Sequence, residues 1–198
     1  MNVILRCPPI AGRLVEVSGV VVGPDGLPAI DVAVYAAAGR FNTAAAGSYI
    51  RPTGADAGGR FTLTEVPAGR GLHLYAETKD HRLATAEVVL IPEDPFATPS
   101  IELVLEPTYP VASVIQNEDG TLVTNATLGV TPMVAGERMW MSGAAREATT
   151  NHLGLLQIDG VLPGMQYRLR EEGPDQNDRR TDGRKRFEQD VVLIPLEP

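Results

Sequence analysis

The sequence has little of several residue types on which protein chemistry usually depends. Its 198 residues include one cysteine and three histidines. No two of the histidines have the His-x-His or His-x₃-His spacing of a metal site. The single thiol, Cys7, has no partner for a disulfide within the chain, which excludes a disulfide-stabilised scaffold. Aromatic residues make up only 5% of the chain, so a broad aromatic binding surface is not expected.

Positive charge and long apolar runs are also scarce. The formal net charge is −8, which argues against a general nucleic-acid binder because phosphate contacts require a basic face. No apolar run approaches the roughly 18 residues of a membrane helix, so membrane insertion is not expected. The first ten residues, MNVILRCPPI, lack the layout of a secretory signal.

Short alternating segments rich in valine fill the first half of the chain. They are bounded by glycine, proline, aspartate or asparagine, which is typical of strands with one buried face. These segments are 15–22, 30–36, 60–66, 71–77, 84–91 and 100–107. Six strands in about 95 residues predict an all-β sandwich rather than an α/β fold. The alanine-rich stretch 36–49 is the exception, and it fits either a helix or a long loop.

The second half repeats the plan of the first. Residues 17–34 align with 111–128 without a gap, and DAGGRFTLTEVPAG at 56–69 aligns with NHLGLLQIDGVLPG at 151–164. A repeat of this regularity predicts two domains. The sequence therefore predicts two tandem Greek-key β-sandwiches of about seven strands each. We place the first at 15–107 and the second at 108–198, with Glu106, Pro107 and Thr108 as a short linker.

The ends of the repeats suggest how each domain closes. The first runs into IELVLEPT and the second into DVVLIPLEP, so each is expected to end in an apolar strand followed by proline. Residues 2–8, NVILRCP, look like a third copy of that closing strand. Residues 1–14 are therefore either the end of a preceding repeat or an ordinary first strand of the first domain, and the sequence leaves both open.

The repeated phrase is interpreted as turn chemistry. Gly59 and Gly154 follow polar turns and precede strands, where a positive φ is often required and glycine adopts it without steric cost. The Val-Pro-Ala-Gly or Leu-Pro-Gly that follows ends each strand. None of these positions supplies a nucleophile, a general base or a metal ligand.

The pattern of the first domain resembles the carboxypeptidase regulatory-like domain, a Greek-key sandwich of the transthyretin type. The matching residues are Gly19, Asp25, Gly26, Pro28, Val32, Val34, Gly59, Arg60, Phe61, Leu63, Val66, Pro67 and Gly69. The second domain is a degenerate copy, with Ser113 in place of the first glycine and Leu155-Leu156 in place of the Arg-Phe pair. The resemblance implies an accessory module of extracellular and envelope proteins, and it brings no catalytic residues.

Enzymes on the same type of sandwich do not match this sequence. Hydroxyisourate hydrolases carry a Tyr-Arg-Gly-Ser signature, whereas Tyr167-Arg168 here continues into Leu169. Intradiol dioxygenases bind iron through two tyrosines and two histidines. The tyrosines and histidines of this chain show no such paired spacing. We therefore predict no enzymatic activity and no cofactor or metal.

The remaining ionisable residues have ordinary interpretations. His73 is expected to be half-exposed on a strand, with its side chain on the face opposite to that of its leucine neighbours. His81 and His152 are expected in turns that face solvent. Asp25, Asp56 and Asp119 are interpreted as turn carboxylates rather than calcium ligands. The polar segment 173–190 is expected to be a long solvated loop.

Three aromatic residues are the candidate ligand-binding positions: Trp140, Tyr49 and Tyr109. A row of exposed rings at these positions would indicate a carbohydrate-binding module, although a lone Trp between methionines is more often part of a core. The preferred prediction is a non-catalytic spacer and interaction module of a larger surface or secreted protein. Its expected partners are other domains of that protein, or a protein or polysaccharide at the cell surface. A protein partner could bind by adding a strand to an exposed sheet edge. A small hydrolase or metal enzyme is the second alternative.

Overall fold

The regular structure of the chain is built from β-strands. The computed structural model describes residues 13–38, 49–94, 97, 100–135, 137–138, 143–171 and 187–192, and within these ranges there is no α-helix. The predicted all-β fold class is confirmed. The N-terminal segment 1–12, the candidate Trp140 and residues 173–186 of the polar segment 173–190 lie outside the described residues. The loop prediction is wrong at the end of the polar segment, because Phe187 is buried and the strand Glu188–Val192 follows it.

Eight strands form the first sandwich, which we define as β1 to β8. They are β1 (Leu14–Val22), β2 (Val32–Ala38), β3 (Tyr49–Gly54), β4 (Arg60–Pro67), β5 (Gly71–Thr78), β6 (Leu83–Leu90), β7 (Ile101–Val104) and β8 (Glu106–Pro107). One sheet has the order β4-β1-β7 and the other the order β3-β2-β5-β6-β8. The core between them is fully buried at Val17, Leu63, Leu74 and Leu103.

All six segments predicted from alternation in the first half are strands. The sequence missed β3, whose residues YIRPTG lack alternation. Pro52 is tolerated there because β3 lies at the edge of its sheet, where no neighbouring strand needs every backbone donor. The helix alternative for the alanine-rich stretch is wrong at its start, because Ala36–Ala38 continue β2 into the core. Residues 39–48 lie outside the described part of the chain.

Seven strands form the second sandwich, which we define as β9 to β15. They are β9 (Tyr109–Val114), β10 (Thr127–Val134), β11 (Glu137–Arg138), β12 (Arg146–Thr149), β13 (Leu155–Val161), β14 (Gln166–Glu171) and β15 (Glu188–Val192). One sheet contains β11, β10, β14, β15 and β12, and the other pairs β13 with β9. Leu128, Val130, Leu156 and Leu169 are buried in its core.

The repeat seen in the sequence is reproduced in the backbone angles. Asp31 and its counterpart Asn125 have φ of 54° and 52°. Gly59 and Gly154 have φ of 72° and 71°, as the turn interpretation predicted. A positive φ is uncommon outside glycine, so its recurrence at aligned positions shows that the two halves share one local geometry.

The polar turns that open the repeated phrase are built alike. Oδ1 of Asp56 accepts hydrogen bonds from the amides of Gly58 and Arg60, both at 2.8 Å. Oδ1 of Asn151 accepts from the amides of Leu153 and Leu155, at 2.8 and 3.0 Å. The phrase is therefore a side-chain-stabilised turn that leads into a strand, as predicted.

The other candidate turn carboxylates have the same function. Oδ1 of Asp25 accepts from the amide of Leu27 at 3.1 Å. Asp119 accepts from both the hydroxyl and the amide of Thr121, and these hydrogen bonds lower the pKa of its carboxyl. Among the described residues no group of three or more histidine, cysteine, aspartate or glutamate side chains is arranged to hold a metal ion.

The prediction for the closing strand of the second repeat is wrong. The segment DVVLIPLEP was expected to match the end of the first repeat, but β15 pairs antiparallel with β14 in the way that β6 pairs with β5. The strand therefore occupies the position of β6 and not that of β7. The motif VVLIP occurs at 88–92 as well as at 191–195, which explains the error.

Two glycine substitutions test the turn geometry. Gly59 and Gly26 both have a positive φ, but an added Cβ at Gly59 would fall against the carbonyl oxygen of Val21, whereas at Gly26 it would meet nothing within 4 Å. We expect Gly26→Ala to lower the free energy of unfolding by ~1 kcal/mol and Gly59→Ala by at least ~3 kcal/mol. Urea unfolding measures both, and equal losses would show that the contact with Val21 is unimportant.

Candidate functional site

The outward face of β5 is covered rather than exposed to solvent. Leu72 and Leu74 point into the first sandwich, so alternation along the strand turns His73, Tyr75 and Glu77 to the other side. Tyr75 nevertheless has no exposed surface, and Glu77 keeps only 4%. A strand face with such burial must be covered by another part of the molecule.

The second sandwich covers that face with one of its ends. Tyr75 and Ala84 of the first sandwich belong to the same apolar cluster as Leu162, Met165 and Tyr167 of the second. Three strand ends of the second sandwich lie together at this contact. The end of β10 lies beside the start of β14 because the two strands are antiparallel neighbours, and the end of β13 belongs to the facing sheet. We call this contact the joint: the outward face of β2, β5 and β6 against the turn end of the second sandwich.

A buried carboxylate lies at the centre of the joint. Oε2 of Glu77 accepts a hydrogen bond from the hydroxyl of Tyr75 at 3.1 Å and from Nδ1 of His81 at 3.0 Å. Nη2 of Arg146, from β12 of the second sandwich, lies 3.5 Å from the same oxygen. The side chains of Arg146 and Glu77 are 17% and 5% exposed, so this ion pair between the sandwiches is largely removed from water.

The guanidinium of Arg146 also donates hydrogen bonds to the backbone of its own sandwich. Its Nη1 donates to the carbonyl of Asp159 and its Nη2 to the carbonyl of Gly160, both at 2.9 Å. These carbonyls belong to an irregularity in β13, where the register with β9 shifts. Nε of Arg146 is buried without a hydrogen-bond partner among the described atoms. The guanidinium therefore connects Glu77 to the end of the second sandwich.

Tyrosine rings fill the space around this ion pair. Tyr35 and Tyr75 are directly opposite on β2 and β5, and their rings stack with centroids 6.1 Å apart and planes 26° apart. Burial, followed by the charge of Glu77, raises the pKa of Tyr75 far above its usual value, so its hydroxyl stays protonated and donates to the carboxylate. Burial likewise raises the pKa of Tyr167, whose oxygen accepts from the amide of Leu162 at 2.9 Å.

Backbone contacts fix the joint at its two ends. Nδ1 of His73 donates to the carbonyl of Val134 at 2.9 Å. Thr108, in the predicted linker, donates its amide to the carbonyl of Arg82 at 2.9 Å and its hydroxyl to the carbonyl of His81. The two residues before Thr108 form β8 and pair with β6. The linker is therefore part of the folded structure of the first sandwich.

The joint brings titratable side chains of both sandwiches together. A glutamate, a histidine, an arginine and a tyrosine meet here, as an acid–base site would require. However, none of the three described cavities is lined by Glu77, His81 or Arg146. A groove of about 550 Å³ runs beside the joint, and the side chains of Glu87, Glu106, Met133 and Met165 are among its lining. The donors on Glu77 compensate its charge, so the cluster supplies cohesion between the sandwiches.

The candidate ligand-binding aromatics have different outcomes. Tyr109 begins β9 and is 37% exposed. Tyr49 begins β3, but its side chain lies outside the described residues, as does all of Trp140. A row of exposed rings at these positions therefore stays a prediction. Within the described ranges no helix is both long enough and apolar enough to cross a membrane.

The histidine predictions are partly confirmed. His152 lies in an exposed turn, and His73 is half-buried opposite its leucine neighbours, both as expected. His81 lies in the expected turn, but its side chain donates to Glu77 instead of facing only solvent.

Sequence reasoning missed Tyr75, Glu77 and Arg146 as residues of a site. The available signal was the pair of tyrosines, Tyr35 and Tyr75, at outward positions of two neighbouring strands. Large aromatic side chains on a supposed solvent face indicate that the face is covered.

Removing one partner of the buried pair should destabilise the protein. We expect Arg146→Met to lower the free energy of unfolding by ~2–3 kcal/mol, because Glu77 loses its cation, and Glu77→Gln/Arg146→Met to recover most of that loss. Arg82→Met is the matched control, since the Arg82–Asp80 pair is exposed and should change stability by less than ~0.5 kcal/mol. Chemical denaturation measures the free energy of unfolding of all three variants. A double variant less stable than Arg146→Met would contradict the assignment of a buried Glu77–Arg146 ion pair.

Comparison with known proteins finds no matching family model and no similar curated protein. Among solved structures, a Streptococcal ancillary pilin shares 16% identity over 91% of this chain, with a TM-score of 0.35. The match covers 61% of that pilin's length. The SpaA shaft pilin of Lactobacillus rhamnosus GG shares 11% identity over 93% of this chain and 95% of its own, with a TM-score of 0.32. The Bacillus anthracis TIE protein shares 11% over 92% of this chain and 32% of its own, also with a TM-score of 0.32. At these identities and TM-scores, the assignment of an all-β sandwich fold rests on the strand pairing of the chain itself.

Proposed function

We propose that this chain is a non-catalytic structural module: two β-sandwich domains, 15–107 and 108–198, held in one fixed orientation within a larger surface or secreted protein. The observation that carries the proposal is the joint. Two sandwiches joined only by a flexible linker would keep polar, solvated faces toward each other. Here a buried ion pair, a stacked tyrosine pair and a shared apolar cluster lie between them.

The chemistry of the joint supports a mechanical function. A buried charged pair contributes little net stability compared with an apolar contact, but it penalises every orientation that separates its partners. Rotation at the joint would leave Glu77 buried without Arg146 and would break the bond from His73 to Val134. The two sandwiches would therefore transmit position and force from one end of the module to the other without bending.

The resemblance of the first domain to the carboxypeptidase regulatory-like domain supports the same proposal. That family consists of accessory modules in extracellular and envelope proteins, so we place this module outside the cytoplasm. The repeated turn geometry supports a shared ancestry for the two domains, since positive φ angles recur at aligned positions. Other domains of the parent protein are the proposed partners.

A glycine in the joint offers a direct test of rigidity. Gly160 and Gly164 have similar φ angles, 70° and 73°. An added Cβ at Gly160 would lie 2.6 Å from Cβ of His81 and 2.8 Å from Nη1 of Arg146, whereas at Gly164 it would meet nothing within 4 Å. We expect Gly160→Ala to change the relative orientation of the sandwiches and Gly164→Ala to leave it unchanged, although both alanines adopt a strained φ.

Residual dipolar couplings measure that orientation in solution. The wild-type chain and Gly164→Ala should each fit one alignment tensor for both sandwiches. Gly160→Ala should require two tensors of different magnitude or direction. If the wild-type chain itself requires two tensors of different magnitude, the sandwiches move independently and the proposal is wrong.

A further inference from the structure

Strand β6 has a full-length neighbour on one side and a short one on the other. From Ala84 to Leu90 it pairs with β5 without a shift in register. On its other edge β8 pairs only with Leu83 and Ala84, which lie opposite Pro107 and Glu106. No other described strand pairs with β6. Residues 85–90 therefore form an edge that has no strand beside it in the described part of the chain.

The edge is open because the chain changes sheets beside it. Before β8 the chain runs along β1 in the opposite sheet, and the amide of Leu105 still donates to the carbonyl of Val22 there at 2.9 Å. Only from Glu106 does it lie beside β6. After β6, Ile91 is buried in the first sandwich. The residues that flank the gap, Leu105 and Ile91, therefore both lie in the core of the first sandwich.

The backbone groups at this edge follow from their neighbours. The carbonyl of Arg82 accepts from the amide of Thr108 on the β8 side, whereas the amide of Ile91 donates to the residue before β5. Because backbone groups alternate along a strand of regular register, the even-numbered residues of β6 point to the β8 side. The amides and carbonyls of Ala86 and Val88 therefore point to the open edge.

The groove of about 550 Å³ beside the joint lies along this edge. Its lining includes residues 85–88 of β6 and residues 162–166, which lead from β13 into β14 of the second sandwich. Val88 is 48% exposed and lines the groove together with Met133 and Met165. The volume lies within the ~300–1,000 Å³ of clefts that bind ligands. The open edge therefore faces a cleft with apolar side chains in its walls.

The charge of the groove is negative. Its lining contains two exposed carboxylates, Glu87 and Glu106, and neither a lysine nor an arginine. Carboxylates at a sheet edge oppose pairing with an acidic or uncharged strand, but they attract a basic one. The edge is therefore selective for a strand that carries positive charge.

The register of β6 sets the pattern of an added strand. Residues opposite Ala86 and Val88 would exchange backbone hydrogen bonds with them and place their side chains on the face of Val88. The residue opposite Glu87 would form a non-hydrogen-bonded pair, in which the two side chains approach most closely. A lysine or arginine suits that position, and apolar side chains suit the two positions that flank it.

We propose that the open edge of β6 binds an extended basic segment of a partner protein. The segment adds as a strand and presents an apolar, a cationic and an apolar residue opposite Ala86, Glu87 and Val88. Main-chain hydrogen bonds supply affinity, and the carboxylates of Glu87 and Glu106 supply selectivity. One wall of the groove belongs to the second sandwich, so the inference rests on the proposed fixed orientation, whereas the edge itself belongs to the first sandwich alone.

Two synthetic peptides probe this edge in the whole wild-type chain. The first is the capped pentapeptide Thr-Val-Lys-Val-Thr, and the matched control is Thr-Val-Glu-Val-Thr. Hydrogen exchange followed by NMR measures the protection of the amides of residues 86–88. We expect the lysine peptide to slow exchange at Ala86 and Val88 and to leave Glu87 unchanged, because the amide of Glu87 points to β5. The glutamate peptide should slow neither.

Substitutions of Glu87 test the charge selectivity. Glu87→Gln should weaken binding of the lysine peptide about two- to fivefold, because an exposed ion pair is lost. Glu87→Lys should reverse the preference, so that the glutamate peptide binds more tightly than the lysine peptide. Glu102→Gln is the matched control, since Glu102 is exposed on β7 and does not line the groove. NMR titration gives each dissociation constant.

A substitution of Val88 tests the backbone bonds. Val88→Pro removes an edge amide and should weaken binding about fivefold or more, while Val88→Thr retains the amide and serves as the control. If Val88→Pro does not fold, the reversal by Glu87→Lys decides the question, because that side chain is exposed.

Three results would overturn the proposal. One is unchanged exchange at Ala86 and Val88 with a large excess of the lysine peptide, and another is equal slowing by both peptides. The third is slowing of the same amides with rising protein concentration alone, which would show that a second copy occupies the edge. A wild-type chain that fits one alignment tensor but does not bind the lysine peptide would contradict only this inference and leave the rigid module intact.

Discussion

The burial of one carboxylate under the neighbouring sandwich organises this molecule. Glu77 lies on a strand face that alternation alone would turn to solvent, and it is covered because the end of the second sandwich rests on it. An isolated buried carboxylate would be very costly, so the hydroxyl of Tyr75, the ring of His81 and the guanidinium of Arg146 must all be in place. The orientation of the two sandwiches follows from that requirement.

The two copies of the repeat differ at a position that lies in the joint. Glu65 and Gly160 occupy aligned positions and share a positive φ, of 60° and 70°. The first sandwich accepts a side chain there because the position is exposed. The second has glycine, since any Cβ would run into His81 and Arg146. A strand irregularity occurs in both repeats, and in the second it is the point of close approach between the sandwiches.

Much of the fold could be predicted from the sequence, because strand alternation and turn residues act locally. The turn aspartates, the positive φ of Gly59 and Gly154, and six strands of the first sandwich all follow from patterns a few residues long. β3 could not be predicted, since YIRPTG has no alternation and its strand character comes from pairing with β2. The joint could not be predicted either, because Glu77 and Arg146 are 69 positions apart and neither belongs to a motif.

Differential scanning calorimetry of the whole chain tests the central claim most directly. If the sandwiches share a buried interface, they unfold together in one transition, and the calorimetric enthalpy equals the van't Hoff enthalpy. Arg146→Met should then split that transition or lower its midpoint as a whole. Two separate transitions in the wild-type chain, with neither midpoint altered by Arg146→Met, would contradict the account.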